Sequence, residues 1–420
     1  MRQPSTTAAA RAATDLPTFR TIPTGAALYV AVVQFLFVTS WTTYVIYLPQ
    51  LLATAGLPAR YTPWVLLIDQ LVFMATDIAV GVSADRARRA VGQLGPMIVA
   101  LTIVSATAFL SLPFAVRLGP AAPAIALALT IVWAATSSAL RAPPWVLLGQ
   151  YAWRPALPWM STLMLLGVAA GGAFAPYLGS ALKARDPRLP FAVSSFVLLA
   201  ATAGILAIER ALQRRPPLRP SAADALVRPK VLTPAHALWL FAVLVLAAGF
   251  QAHASLNSSA QLLRFAPAAS LERLLPVFWI GFAAGMVVAS PLCRRYRALH
   301  VMAVGALVGA VAAYAAATAA SLEILLGAQW LAGAAWGGML VAIFASASDF
   351  GRTGREGLAL GSMFSMLALA TLVRIGVTIA GWNREPDVQA ALGVAPVVLW
   401  VAGAVLVYMV AWRARATPDD

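Results

Sequence analysis

Five ionisable side chains stand inside long apolar runs of this sequence: Asp69, Asp77, Arg141, His253 and Arg374. A charge in hydrocarbon surroundings is expensive and tends to find a partner, a proton or a water-filled cavity, so each is a candidate for ion or ligand handling. Asp77 precedes Asp85 by eight residues, about 12 Å along a helix, and is the better placed carboxylate to load and release a proton. Asp69 lies more than two turns further on and is the second candidate for the coupling ion. Sodium fits Asp77 less well than a proton, because it wants several oxygen ligands and Phe73 stands one turn away where a second acid would help. The competing reading of Asp77 is a structural ion pair with Arg141.

A second concentration of polarity lies at Gln251, His253, Ser255, Asn257, Ser258, Ser259 and Gln261. Gln251, Ser255 and Ser258 share one helical face, and His253 and Asn257 form the neighbouring strip. So much polarity in an apolar run must face water or a partner helix. Gln34, Trp41, Trp133, Gln329, Trp330 and Trp336 lie in other apolar runs and can join Gln251, His253 and Asn257 around a mixed polar and aromatic cavity. The competing readings are packing or interface anchoring for the tryptophans and helix–helix hydrogen bonding for His253.

These residues must be positioned by membrane-spanning helices. About 20 apolar residues cross roughly 30 Å of hydrocarbon, and a backbone in lipid must satisfy its own hydrogen bonds. Spans are predicted over 26–50, 62–84, 95–115, 121–142, 157–182 and 190–211, then over 235–257, 272–292, 299–319, 323–346, 357–381 and 388–411. The fold class is an all-α membrane protein with twelve transmembrane helices in two six-helix bundles. Residues 1–25 read as a polar tail, 26–211 as the N-terminal bundle, 212–234 as a linker, 235–411 as the C-terminal bundle and 412–420 as a second tail. The linker cannot be helical through Arg214-Arg215-Pro216-Pro217, because proline lacks an N–H donor.

Hydrophobic residues make up 61% of the chain and charged residues 11%, a composition that excludes an ordinary water-soluble domain. The net charge of +15 follows from loop sidedness and implies no nucleic acid. With the N-terminus inside, 21 of the 30 basic residues fall on the inner side and eight on the outer side, which places both termini in the cytoplasm of a bacterial-type inner membrane. The first apolar run is too long for a cleavable signal. One cysteine, three histidines and no phosphate-binding glycine loop offer no metal cluster, nucleophile triad or nucleotide cradle. The chain is therefore expected to be no enzyme, to hold no metal or cofactor, and to act as a monomer in the lipid bilayer.

The loop Gly81-Val82-Ser83-Ala84-Asp85-Arg86-Ala87-Arg88-Arg89 resembles the signature Gly-x-x-x-Asp-Arg-x-Gly-Arg/Lys-Arg/Lys of the major facilitator superfamily, with Arg88 in place of the second glycine. Gly81 allows close helix approach and Asp85 can cap a neighbouring helix. Asp77 through Arg86 with Gly92 to Pro96, and Asp349-Phe350-Gly351-Arg352-Thr353-Gly354-Arg355-Glu356-Gly357, are similar to glycoside–pentoside–hexuronide cation symporters. Ile78 replaces that family's proline, Phe73 its earlier acid, and the eleventh span has no lysine. In span five, Gly167, Gly171, Gly172 and Pro176 partly resemble an antiporter motif, with plain packing as the competing reading.

The superfamily resemblance implies two bundles rocking about a midplane site lined by spans one, four, seven and ten. It also implies that spans two and eleven meet between the bundles. Asp69 and Arg374 would then pair across the outer mouth when the cavity faces the cytoplasm, the alternatives being that each charge is satisfied within its own half or contacts the solute directly. The function so implied is secondary-active movement of a small organic solute, coupled to a proton or else to sodium. A proton-driven drug or metabolite exporter is the alternative within transport. A non-transporting sensor or assembly factor on the same scaffold is the alternative outside it.

Overall fold

The computed structural model describes residues 23–182, 185–214, 233–351 and 354–416. The expected N-terminal tail up to residue 22, most of the linker, and residues 417–420 lie outside the described residues, as does Arg352. Twelve helices are long and apolar enough to cross a membrane. They are α1 (Thr24–Thr54), α2 (Ala59–Val91), α3 (Gly95–Ala115), α4 (Gly119–Gly149), α5 (Arg154–Leu182) and α6 (Arg188–Gln213), then α7 (Pro234–Leu262), α8 (Ala268–Tyr296), α9 (Ala298–Ala317), α10 (Leu322–Phe350), α11 (Glu356–Ile379) and α12 (Pro386–Arg413). The protein is a multi-pass membrane protein. Several helices run beyond the hydrophobic windows, because polar ends such as Asp85 to Val91 continue the helix until Gly92 takes a positive φ of 71° and stops it.

Helix neighbours repeat with a period of six. Helix α1 packs on α5 and α6, α3 on α4 and α6, and α2 on α4; α7 packs on α11 and α12, α9 on α10 and α12, and α8 on α10. The two halves therefore carry the same arrangement. Between them, α2 lies on α11 and α5 lies on α8, a pair of contacts that a two-fold axis would exchange.

The α2–α11 contact starts at the arginine-rich loop end and reaches the middle of the helices. Backbone touches backbone where Gly81 meets Gly357 and where Gly361 meets Asp77, with no room for a Cβ at either place. Further along, Ser365 Oγ donates to the Met74 carbonyl at 2.6 Å, and Phe73 and Ala368 are buried together. The span-five glycines serve packing on two sides: Gly167 and Gly171 lie against α1 within the first half, while at the α5–α8 contact Gly172 lies against the Trp279 ring and Thr162 Oγ1 donates to the Met286 carbonyl at 3.2 Å. Near the basic end Trp145 of α4 stacks on Phe344 of α10, 4.8 Å between centroids.

Helix α4 does not end at residue 142 as the hydropathy predicts. It breaks over Ser138–Arg141, where Arg141 has φ −95° and ψ −86°, and resumes as Ala142–Gly149. Pro143 and Pro144 explain the break: neither has an N–H to donate to the carbonyls of Ala139 and Leu140 one turn back. The break keeps Arg141 within the span, eight residues before its end at Gly149, where it meets Asp77.

Gly361→Val should push α2 and α11 apart, since the new Cβ meets the Asp77 carbonyl. The expected outcome is a loss of about 1–3 kcal/mol of stability and faster thiol labelling of a cysteine placed at Ser365 in a Cys293→Ser background. Unchanged melting and labelling would mean that this seam does not hold the halves together.

Candidate functional site

Arg141 forms the centre of the interface. Its Nη1 lies 3.0 Å from Asp77 Oδ2, and the Asp77 side chain is fully buried. The contact is an ion pair without the alignment of a hydrogen bond, and neither Asp77 oxygen takes a hydrogen bond among the described residues. The guanidinium is also held between two rings, 4.8 Å from Phe73 and 4.9 Å from Phe364. Phe73 belongs to α2 and Phe364 to α11, so one arginine on α4 links both halves. Nearby, Gln34 Nε2 donates to the Leu140 carbonyl at 2.6 Å, and Thr76 Oγ1 and Ser138 Oγ share a hydrogen bond at 2.8 Å, which brace the broken turn that carries Arg141.

The expected loop motif operates as a clamp on α11. Asp85 Oδ1 accepts from the Gly357 amide at 2.8 Å and Oδ2 from the Leu358 amide at 2.9 Å. Helix α11 has no side-chain cap of its own, since Arg355 occupies that position. Arg89 donates to the Gly354 carbonyl at 2.8 Å, and Arg88 pairs with Glu356 at 2.6 Å. Arg88, read as a departure from the signature, is thus a working part of the clamp. Arg86 and Asp349 are exposed on the same end.

Glu209 plays the same role for α3, accepting from the Leu94 and Gly95 amides at 2.7 and 2.9 Å. Sequence reasoning missed this residue. An isolated acid at the end of an apolar helix, beside a Leu-Gly-Pro helix start lacking a cap, was the available signal.

The Asp69–Arg374 pair does not form in this structure. Asp69 is completely buried and accepts from the Tyr44 hydroxyl at 2.9 Å. Arg374 follows Ser365 by nine residues, half a turn out of phase, so it lies on the face of α11 opposite the α2 contact. Its Nε is buried without a hydrogen-bond partner, and no ion pair reaches it among the described residues.

Most of the expected cavity lining is absorbed into packing. His253 is completely buried, its Nε2 3.1 Å from Gln329 Oε1, and Gln329 Nε2 donates to Gln261 Oε1 at 3.1 Å. Asn257 Nδ2 donates to the Leu392 carbonyl of α12 at 2.7 Å. The polar run of α7 therefore faces partner helices on this side, the reading of His253 as a helix–helix hydrogen bonder. Trp133 and Trp336 are 2% and 3% exposed; Trp133 sits among Trp41, Tyr44 and Phe109, and Trp336 stacks on Phe250. Trp330 is on the wrong side altogether, 42% exposed in a groove of α8, α9 and α10.

What remains open is Trp41, half-buried on α1, and Gln251 on α7. Gln251 Nε2 donates to Thr371 Oγ1 of α11 at 2.9 Å and accepts from the exposed Ser255 hydroxyl at 3.1 Å. Residues Gln251–Asn257 form a π-helical turn, a wide turn often found at functional positions, which is why simple i, i+4 spacing sorted these side chains imperfectly.

The six-plus-six arrangement with its 2–11 and 5–8 contacts matches solved structures over nearly the whole chain. A bacterial homologue of the iron transporter ferroportin, in an outward-facing state, superposes with a TM-score of 0.72 at 15% identity, covering 92% of this chain and all of that one. The human organic anion transporter gives 0.66 at 15% identity, with 92% and 99% covered. A major facilitator superfamily transporter, FucP, in the outward conformation gives 0.60 at 15% identity, with 94% and 99% covered.

The chain has the major facilitator fold. No family model and no curated protein sequence matches it. The narrower resemblance to glycoside–pentoside–hexuronide symporters gains no support from these likenesses. Within this fold, the Asp77–Arg141 pair belongs to the first half and meets the second through the Phe364 ring of α11.

Two double-mutant cycles separate the pairs. Asp77→Asn should cost about 3–5 kcal/mol by leaving Arg141 uncompensated, and adding Arg141→Gln should restore part of that loss. Asp69→Asn and Arg374→Gln should add within about 0.5 kcal/mol. Thermal melting of all variants in one detergent measures both, and strong coupling in the second cycle would reinstate the Asp69–Arg374 gate.

Proposed function

We propose that this protein is a secondary-active transporter that moves a small organic solute by alternating access, coupled to protons through Asp77. It works in a bacterial-type inner membrane with both termini in the cytoplasm, as the sidedness of the arginines supports. The observation that carries the reading is the buried Asp77–Arg141 pair held between Phe73 and Phe364 where the halves meet. While Asp77 is charged it holds Arg141, and with it α4, against α2 and α11. A proton arriving on Asp77 cancels that attraction and leaves the guanidinium to the rings and to solute, which loosens the seam. Solute binding and protonation are thereby linked through one arginine.

Arg374 favours an anionic group on the solute. It is a membrane-level guanidinium without a counter-charge among the described residues, one turn beyond Thr371, whose hydroxyl holds Gln251. A carboxylate bound by Arg374, with Gln251, Ser255 and Thr371 supplying hydrogen bonds, satisfies it without any carboxylate of the protein. Trp41 provides an apolar wall on the opposite half.

In proteoliposomes, a pH gradient should drive accumulation of the solute. Asp77→Asn should abolish accumulation while solute exchange continues, since exchange need not return an empty proton site. Accumulation equal to the parent's would place coupling elsewhere. Export-only movement would favour the exporter reading, and binding without movement under any gradient would favour a sensor or assembly factor.

For Arg374→Gln, thermal stabilisation by a panel of carboxylated metabolites should fall at least about tenfold in apparent affinity, the scale of one charge-assisted hydrogen bond. Stabilisation by neutral solutes alone, unchanged in the variant, would remove Arg374 from the binding site.

A further inference from the structure

Away from the seam, the outer surface of the second half carries a groove of 720 Å³ between α8, α9 and α10. Ala284, Val288, Val304 and Trp330 line its apolar length, and Tyr296 and His300 line one end. From Ala284 to Tyr296 is twelve residues, about 18 Å of helix, close to the depth of one leaflet, half of the roughly 30 Å hydrocarbon core. The end at Tyr296 is the basic one: Arg294, Arg295 and Arg297 are all exposed there, and Arg295 lies over the Tyr296 ring at 5.3 Å. Tail-length and charge thus occur together at one site.

The backbone adds an independent observation. Arg297 alone connects α8 to α9, and it has φ 67° and ψ 140°. It is the one non-glycine residue with positive φ among the described residues. Such a conformation costs about 1–3 kcal/mol and is characteristic of ligand clamps. Glycine would remove the strain, but glycine has no guanidinium to place at the groove mouth.

We infer that this groove binds an anionic phospholipid of the cytoplasmic leaflet, one acyl chain lying along α8, α9 and α10 and the phosphate held by Arg295 and Arg297 at the mouth. A zwitterionic lipid would fill the same groove with its tail but would bring a cationic headgroup against the arginines. Basic pockets between helices on the cytoplasmic side recognise acidic headgroups by this combination of charge and depth. The lipid would bridge α8, which packs on α5 at the interface between halves, to α9 and α10 behind it.

The test uses the full chain, purified in neutral detergent and titrated with phosphatidylglycerol or phosphatidylcholine of equal chain length, with bound lipid counted by native mass spectrometry. Phosphatidylglycerol should bind more tightly than phosphatidylcholine, and Arg295→Gln and Arg297→Gln should each weaken it about fivefold. Val304→Trp, which fills the groove from an exposed position, should weaken both lipids together.

Arg297→Gly is the discriminating variant: it should raise the melting temperature of the lipid-free protein while weakening phosphatidylglycerol. Equal affinity of the two lipids in the parent overturns the proposal whatever the variants do. So does displacement of phosphatidylglycerol by an equal concentration of free glycerol phosphate, because the tail would then contribute nothing. Lipid affinity is read without transport, so its failure and the failure of the transport reading are separately visible.

Discussion

Two backbone amides and one carboxylate seat the two halves of this protein on each other at the basic end. Asp85, at the end of α2, accepts from Gly357 and Leu358 at the start of α11. Free amides at a helix start demand acceptors, and α11 supplies none from its own sequence, so the cap must come from the other half. Once Asp85 is seated, the glycine contacts beside it bring the two backbones together without intervening side chains. Everything nearer the middle of the membrane follows from that approach: the Ser365–Met74 hydrogen bond, the Phe73–Ala368 contact and the rings on either side of Arg141.

This clamp sits at the basic end, and the charge pair sits further along the same contact, at the residue whose carbonyl meets Gly361. A carboxylate fully buried beside a single arginine is stable only while both charges are present or both are absent. On the proposed reading, a proton on Asp77 would release Arg141, the one member of the pair that also lies over a ring of the second half, Phe364. Asp69 is bonded within the same bundle, to the Tyr44 hydroxyl of α1.

Lipid provides no hydrogen bonds, and the interior of the second bundle answers this with the chain His253–Gln329–Gln261 and the Asn257–Leu392 bond. These ties fix α7 to α10 and α12 as one body. In the proposed transport cycle, a bundle tied internally in this way would move as a unit. The surface of such a body also meets lipid directly, and in the α8–α10 groove that surface acquires a shape and a charge of its own.

The sequence by itself determined the membrane setting, twelve spans and the six-plus-six division, because hydrocarbon leaves helices as the only answer for apolar runs of that length. It also exposed Asp77, Arg141 and the capping role of Asp85, since charges near or within apolar runs are few and each needs a reason. Only the tertiary structure decided their partners. Depth along a helix is legible from residue number, but the face a side chain presents depends on rotation and on local breaks. Pro143 and Pro144 set Arg141 on a broken turn, a π-helical turn redistributed the polar run of α7, and half a turn of phase took Arg374 away from Asp69. Trp330 and Trp336, six residues apart on one helix, ended on a lipid-facing groove and in a sealed core respectively. Packing between helices makes those choices, and single-helix periodicity does not contain them.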